Sequence, residues 1–372
     1  MRVNRRTLIL GAGAVAIAGQ ARSQGRASGW YDRAIVIDAL GGIGDPYAPD
    51  EVLRMSDRAW AETLATGVTM VRDTVFPVGN VVDSWDDYVK SIAGKKAYLA
   101  ANPDRLLLVR SAADILKAKR DGRFAVLLGT QDTSMVGPKL DRIAQLKKDG
   151  VMTVQLTYNN RNLCGDGSLE PANAGLSKLG RATIEQIEAE KLLLDLSHGG
   201  VRTMAEGAAH AKRPLVISHT GARALADHPR NTGDETIRAV ANKGGVIGVY
   251  FMPFLTLDSS PKGADLIRHI EHVANVAGED HVGIGTDNGV LPTAIDDATR
   301  ESNRRWAMER AKAGIAAPGE GPDVFPIVAD YNSVDRYRRL ADVLEKRGWS
   351  TARLEKLFGA NFLRVYREAW SA

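Results

Sequence analysis

Residues 192–219 read LLLDLSHGGVRTMAEGAAHAKRPLVISH, two short apolar runs on either side of one amphipathic segment. The runs at 192–196 and 215–218 have the length and the aliphatic content of buried strands. Between them, residues 201–211 repeat their apolar side chains at helical spacing. A strand, a helix and a second strand in this order predict two parallel strands joined by a covering helix.

The same alternation extends over most of the chain. Apolar, β-rich runs lie at residues 34–38, 68–73, 124–130, 152–157, 192–196, 215–218, 246–250 and 282–286. Amphipathic segments between them lie at 51–65, 139–148, 180–190, 201–211, 234–242 and 265–276. Eight such units predict an α/β fold, a (β/α)8 TIM-like barrel, with a doubly wound open sheet as the alternative.

Two segments near the end do not follow this alternation. Residues 298–335 contain several Pro and Gly residues and show weak periodicity, which predicts a long insertion that covers the barrel mouth. Residues 350–370 are expected to be helical. Because no Pro-, Gly- or Ser-rich linker divides the chain, we expect a single domain over 24–372.

The N-terminus has the pattern of an export signal. Asn4-Arg5-Arg6-Thr7 precedes an apolar, small-residue run at 8–19, and small residues follow around Ala21 and Ser23. Paired arginines before such a run predict a twin-arginine signal peptide over 1–23 and a periplasmic or otherwise exported protein. An ordinary secretory signal is the alternative, and an uncleaved segment would anchor the protein to the membrane.

The net charge limits the kinds of partner that the chain can bind, and the cysteine content limits the cross-links that can stabilise it. The net charge of +4 comes from four arginines within residues 1–23, so the remaining 45 basic residues balance 45 acidic ones. A neutral mature chain argues against nucleic acid and favours a small molecule, with a homodimer left open. The single cysteine, Cys164, excludes an intramolecular disulfide.

Polar residues accumulate where the predicted strands end. In a parallel barrel these positions meet at one mouth, where active sites are built. The sequences Leu-Ser-His198 and Ile-Ser-His219 end two successive strands, so both imidazoles are predicted to bind one divalent cation, with zinc the usual choice. A structural, hydrogen-bonded role is the alternative for each histidine. His210, His269, His272 and His281, on helices or before a strand, are expected to be structural or solvated.

Three further positions complete the candidate site. Asp287 ends the last strand in Gly-Ile-Gly-Thr-Asp and is a candidate general base, or else a capping residue. Arg230, in His-Pro-Arg-Asn, is a candidate for binding a substrate carboxylate, or else a surface arginine. Asn231 and Tyr250 are placed with it as substrate-binding residues.

Together these segments resemble the renal or membrane dipeptidase family of zinc peptidases, over roughly residues 31–367. Besides the histidine strands and the Asp287 motif, the match includes Gly244-Gly245-Val246-Ile247-Gly248 and Gly359-Ala360-Asn361-Phe362-Leu363-Arg364. The resemblance implies a (β/α) barrel with a two-metal centre that cleaves dipeptides. It places His198 and His219 at the second metal, Asp287 beside the bridging water and Arg230 at the substrate carboxylate.

The chain departs from the family pattern at three places. Leu40 and Gly42 stand where the family has a His-x-Asp ligand pair, and Gln131 replaces the bridging glutamate. Tyr158 replaces a histidine that stabilises the transition state, although a phenol can still donate to an oxyanion. We therefore expect one zinc ion on His198 and His219, completed by Gln131, Asp287 or water, with Asp38, Asp73 and Asp132 as possible substitutes for the lost ligands.

Three functions remain compatible with these residues. The first is a hydrolase that cleaves a small amide or dipeptide with a free carboxylate, using an incomplete, mononuclear zinc site. The second is an inactive barrel that binds a peptide-like ligand. The third is a different reaction on the same barrel, because a fold does not fix chemistry.

Overall fold

Parallel strands form the centre of the protein, which a computed structural model describes over residues 29–49, 51–79 and 84–371. The strands are β1 (Ile37–Gly42), β2 (Met70–Val75), β3 (Leu106–Leu108), β4 (Phe124–Thr130), β5 (Val151–Gln155), β6 (Leu193–Asp195), β7 (Val216–Thr220), β8 (Val246–Val249), β9 (Val282–Ile284) and β10 (Asn288–Gly289). Their order is β10-β1-β2-β4-β5-β6-β7-β8-β9, with β3 added beside β4.

The first and last strands meet, so the sheet curls into a barrel. β9 pairs with β8, and β10, which follows β9 directly, pairs with β1. Asp287, which lies between β9 and β10, donates from its amide to the carbonyl of Leu40 in β1 at 2.8 Å. The (β/α)8-type barrel is confirmed, and the doubly wound open sheet is excluded.

Helices alternate with these strands and cover the barrel. They are α1 (Trp30–Arg33), α2 (Asp57–Ala65), α3 (Trp85–Ala101), α4 (Ala112–Asp121), α5 (Arg142–Asp149), α6 (Lys178–Ala189), α7 (Val201–His210), α8 (Asp234–Asn242), α9 (Gly263–Ala277), α10 (Asp297–Lys312), α11 (Arg336–Lys346), α12 (Thr351–Glu355) and α13 (Asn361–Trp370). Short 3-10 turns lie at Pro253–Leu255 and Ala329–Tyr331, and a π-helical turn at Lys356–Ala360 joins α12 to α13.

Local signals set several of these boundaries. Ser177 begins α6 by accepting a hydrogen bond from the amide of Gly180. Gly122 and Gly150 end α4 and α5 in the left-handed conformation, which a glycine adopts without steric cost. The turns are therefore encoded locally, although the barrel is closed by distant contacts.

The sequence-based element assignment was incomplete. It missed α3, α4 and α11, and it missed strand β3 between α3 and α4. The insertion at 298–335 was predicted to cover the barrel mouth, but helix α10, which begins it, was not predicted. The buried residues of α10 are only Asn303 and Ala307, so the helix has no apolar stripe that would have revealed it.

The predicted signal peptide, residues 1–23, lies outside the described residues, and its cleavage and export remain predictions. Within the described ranges, none of the helices combines the length and the apolar character that crossing a bilayer requires.

Candidate functional site

A cavity of about 100 Å³ opens among the loops that follow the strands. Five predicted site residues line it, namely Gln131, Tyr158, His198, Arg230 and Asp287. The other lining residues come from two segments, the loop after β8 and the region from α10 to residue 326: Met252, Phe254, Trp306, Arg310, Glu320 and Pro326. The barrel mouth therefore gathers most of the predicted site.

His198 and His219 lie side by side, as the pairing of β6 with β7 requires. Their ring centroids are 4.8 Å apart and the rings meet edge to face. Both side chains are buried, and the Nε2 atom of each has no hydrogen-bond partner among the described residues. A buried polar nitrogen without a protein partner is open to a water molecule or a bound ligand.

Hydrogen bonds assign the proton of each ring to Nδ1. Nδ1 of His198 lies 2.6 Å from the carboxamide oxygen of Asn159, which can only accept. Nδ1 of His219 lies 2.8 Å from Ser218 Oγ, whose own proton is donated to Asp195 at 2.6 Å. Each Nε2 atom therefore carries a lone pair.

Asp195 forms a buried ion pair with Arg72. The guanidinium of Arg72 pairs with the Asp195 carboxylate, donates to Ser218 Oγ at 3.0 Å and donates to the carbonyl of Thr130 at 2.5 Å. This interior network supports His219 through Ser218. Asp195 therefore has a supporting role and does not face the cavity.

The backbone next to strand β7, which carries His219, leaves no room for a side chain at two neighbouring positions. A Cβ at Gly248 or Gly285 would collide with the carbonyl of Ser218, the residue before His219. Glycine at both positions allows β7, β8 and the end of β9 to approach closely. His198 and Asp287 themselves adopt the left-handed conformation, with φ of 64° and 60°. Such backbone strain is concentrated at functional sites.

Burial and nearby arginines keep the two imidazoles neutral. Burial lowers the pKa of His198 and of His219 well below the usual value, and the positive charge of Arg230 lowers it further. A neutral imidazole is the form that binds a metal.

Asp287 and Arg230 form the charged part of the cavity. Burial raises the pKa of Asp287 to about 6, although Arg230 and Arg310 act in the opposite direction. Burial also lowers the pKa of Arg230, against the attraction of Tyr250 and Asp287. Arg230 is only 3% exposed, and its Nη2 atom has no hydrogen-bond partner among the described residues. An anion is thus the natural missing partner of this side chain.

The sequence-based prediction missed Arg310. This residue of α10 donates to Tyr158 Oη at 3.0 Å and forms a two-pronged ion pair with Glu320, at 2.6 and 2.8 Å. The Tyr158 ring stacks on His198, with centroids 4.1 Å apart. Since Tyr158 accepts from Arg310, its own proton is available for a group in the cavity. No motif pointed to Arg310, which lies 152 residues after Tyr158.

The remaining predicted site residues make contacts within the protein. Gln131 lines the cavity and donates from Nε2 to Thr74 Oγ1 at 2.8 Å. Asn231 accepts from the Tyr250 hydroxyl at 2.5 Å and donates to two backbone carbonyls. Asn231 and Tyr250 are fully buried and do not line the cavity, and the same holds for His219. The assignment of Asn231 and Tyr250 to substrate binding remains a prediction.

The three aspartates that were predicted as substitute metal ligands form hydrogen bonds or ion pairs with other residues. Asp38 accepts from Thr286 and from the Tyr337 hydroxyl, which lies 2.6 Å away. Asp73 pairs with Lys95 at 2.5 Å, and Asp132 accepts from Asn162 and from the amide of Thr133. None of them lines the cavity.

Two described histidines offer nitrogen atoms of the kind that binds a divalent cation. The Nε2 atoms of His198 and His219 have no hydrogen-bond partner among the described residues. His198, Gln131 and Asp287 line the same cavity, whereas His219 lies behind His198 and does not line it. In the part of the chain that the structure describes, no three His, Cys, Asp or Glu side chains converge as a metal-binding group. The position of Leu40 is buried and apolar, and that of Gly42 has no side chain.

Comparison with known proteins identifies a family. The family model of membrane dipeptidase, Peptidase family M19, matches residues 66–304. Dipeptidase verJ of Clonostachys rogersoniana is 29% identical over 267 residues, which cover 70% of this chain and 60% of that protein. The chain thus spans less than two thirds of that relative, and 56% of dipeptidase tcpJ of Claviceps purpurea.

Solved structures agree with the fold. The chain resembles an amidohydrolase from Pseudomonas aeruginosa with a TM-score of 0.77 and 29% identity, over 93% of this chain and 100% of the other. A metallo peptidase from Rhodobacter sphaeroides, liganded with a phosphinate mimic of the dipeptide L-Ala-D-Ala, matches with a TM-score of 0.70 and 18% identity, over 91% and 100%. At this identity the second match concerns the fold alone.

Proposed function

This chain belongs to the membrane dipeptidase family, Peptidase family M19, and we propose that it hydrolyses a small amide or dipeptide with a free carboxylate, using one zinc ion. One observation carries the proposal. Two buried imidazoles lie with their ring centroids 4.8 Å apart, and the Nε2 atom of each has no hydrogen-bond partner among the described residues. A buried lone pair is costly unless a cation or a hydrogen-bond donor lies beside it, and one cation could serve both rings.

The proposed site is mononuclear and open. His198 and His219 would hold the ion, and Gln131, Asp287 or water would complete its coordination. When bound, the cation supplies Lewis acidity that activates water and polarises the scissile carbonyl. Two imidazoles with open positions resemble a catalytic site more than a closed structural one.

The chain's own residues then account for binding and proton transfer. The free guanidinium of Arg230 binds the substrate carboxylate and fixes the position of the scissile bond. Asp287, with its pKa raised to about 6, accepts a proton from the attacking water and returns it to the leaving amine. The Tyr158 hydroxyl donates to the carbonyl oxygen as negative charge develops there.

A barrel that binds a peptide-like ligand without cleaving it is the second candidate. The absence of a three-residue metal group among the described side chains favours it. Arg230 would serve either function, whereas two neutral imidazoles beside Asp287 serve only the first.

Metal analysis combined with a dipeptide panel tests the proposal. We expect about one zinc ion per purified chain, turnover of at least one dipeptide, and loss of both in His198→Ala. His210→Ala is the matched control, because this helix residue contacts Glu185 away from the cavity. Metal-free wild-type protein that binds dipeptides and cleaves none would establish the binding function instead.

We further propose that the protein is exported through its Arg5-Arg6 segment. Arg5→Lys with Arg6→Lys should retain the chain in the cytoplasm if the twin-arginine route is used. Cell fractionation and immunoblotting measure where the variant accumulates. Unchanged export would favour an ordinary secretory signal.

A further inference from the structure

Residues 297–326, here called the cover, close over the barrel mouth through a set of hydrogen bonds. Trp306, Arg310, Glu320 and Pro326 of the cover line the cavity. Side chains from the barrel loops donate to cover carbonyls: Asn159 to Ile315 at 2.7 Å, Asn160 to Gly314 at 2.9 Å, His228 to Pro318 at 2.8 Å and Asn288 to Pro326 at 2.7 Å. The cover is thus fixed to several loops at once.

Asn159 differs from the other anchors because it also contacts a candidate metal ligand. Its Nδ2 donates to the carbonyl of Ile315, and its Oδ1 lies 2.6 Å from Nδ1 of His198. The side chain is fully buried, so water cannot replace either contact. One amide group therefore joins the cover to His198.

The cover determines which way this amide points. If the amide were turned over, its oxygen would face the Ile315 carbonyl at hydrogen-bond distance, and two acceptors would repel each other. Ser168 Oγ donates to the same Oδ1 at 3.3 Å, which supports the orientation seen. With Oδ1 fixed toward His198, the imidazole must carry its proton on Nδ1 and leave Nε2 as a lone pair.

We propose that Asn159 is a positioning residue that fixes the metal-binding tautomer of His198 and that the closed cover, through the Ile315 carbonyl, fixes Asn159. This inference rests on the proposed function for the ion but concerns the protein's own tautomer. An open cover would release the amide, allow the other tautomer and weaken the ligand.

The coupling must act in both directions. If closure of the cover favours zinc binding, zinc binding must favour closure by the same free energy. Zinc should therefore slow amide hydrogen exchange across residues 313–320 of the wild-type protein. This protection should disappear when Asn159 no longer joins the two parts.

The first test compares two neighbouring asparagines. Asn159→Leu removes both contacts, and we expect its zinc affinity to fall about 10- to 100-fold, as for other residues that orient a ligand. Asn160→Leu removes a cover hydrogen bond of the same kind without touching His198, and its zinc affinity should stay unchanged. Competition with a fluorescent chelator measures both. Equal affinities of the two variants and the wild type would overturn the inference.

A second variant separates the two contacts of Asn159. Asn159→Asp keeps an oxygen toward His198 but places the other oxygen against the Ile315 carbonyl. It should retain zinc binding and the Nδ1-protonated ring, while amides of residues 313–320 exchange faster than in the wild type. Unchanged exchange in this region would contradict the role of the Ile315 carbonyl.

Nitrogen NMR of histidine-labelled, metal-free protein tests the inference without zinc. His198 should be protonated on Nδ1 in the wild type and in Asn160→Leu, and should shift toward Nε2 protonation in Asn159→Leu. If the wild type binds no zinc and Asn159→Leu still shows this shift, the proposed metal site is refuted and the positioning role is supported. An unchanged His198 tautomer in Asn159→Leu would overturn the positioning role itself.

Discussion

Replacing Arg230 by methionine should weaken substrate binding while stabilising the ligand-free protein. The side chain is buried, and its Nη2 atom has no hydrogen-bond partner among the described residues. Burial outweighs the attraction of Tyr250 and Asp287, since the net effect lowers the pKa of Arg230. An unsatisfied buried donor costs about 1–3 kcal/mol, so Arg230→Met should raise the free energy of unfolding by about 1–2 kcal/mol. Methionine retains most of the packing of the aliphatic stem.

The same change should remove the anchor for the substrate carboxylate. Breaking a buried charge pair costs at least about 2–3 kcal/mol, which corresponds to a roughly 30- to 150-fold loss in affinity. The loss should be confined to ligands with a free carboxylate. A dipeptide and its C-terminal amide, measured against wild type and Arg230→Met, form a double-mutant cycle between Arg230 and the carboxylate.

Calorimetric binding and urea denaturation are sufficient for this test, so turnover is not required. The wild type should prefer the free dipeptide over its amide by the factor given above, and the variant should lose the preference. If Arg230→Met weakens the binding of both ligands equally, Arg230 does not bind the carboxylate. If the variant is less stable than the wild type without ligand, the argument from the unsatisfied buried donor is refuted.

Four further predictions concern the site and its support. Burial and Arg230 hold the pKa values of His198 and His219 well below 6.5, so zinc affinity should change little between pH 7.5 and 6.0. A site made of two histidines with ordinary pKa values would lose about 14-fold in zinc affinity over the same range. A chelator titration that shows such a loss would contradict neutral imidazoles. Asp287→Asn should lower kcat about 100- to 10,000-fold. Since the pKa of Asp287 is raised to about 6, wild-type kcat/KM should fall as the pH drops below 6, and activity that persists at pH 4.5 would exclude Asp287 as the base. Tyr158→Phe should lower kcat more than it raises KM, and a change in KM alone would indicate binding without transition-state stabilisation. Gly285→Ala should destabilise the protein by about 1–3 kcal/mol because the new Cβ meets the Ser218 carbonyl, whereas Gly233→Ala, where the Cβ meets open space, should unfold in urea like the wild type.

The barrel was predictable because its information is local. Each of the eight predicted runs overlaps a strand of the ring, and the strands before His198 and His219 pair directly. Periodicity and strand ends were therefore enough to place five predicted residues around one cavity.

The cover was not predictable in the same way. Helix α10 packs its polar and aromatic side chains, among them Trp306 and Arg310, over a polar cavity. Its sequence consequently lacks the apolar stripe by which a helix is recognised. The role of Asn159 depends on the Ile315 carbonyl, 156 residues away, and no local signal connects them.

The aspartates show the same limit. Asp38 and Asp73 end predicted apolar runs and Asp132 follows one, which made each a reasonable substitute ligand. In the structure Asp38 lies inside β1 and Asp73 inside β2. Their partners, Tyr337, Lys95 and Asn162, come from other elements and engage the carboxylates away from the cavity. Strand position predicts where a side chain begins, whereas its partner decides whether it is free to bind.

Diffraction from zinc-loaded crystals at energies on both sides of the zinc absorption edge tests the central claim most directly. The account predicts one anomalous peak per chain, within bonding distance of Nε2 of both His198 and His219. Two peaks at the barrel mouth, or a peak that contacts neither imidazole, would contradict it.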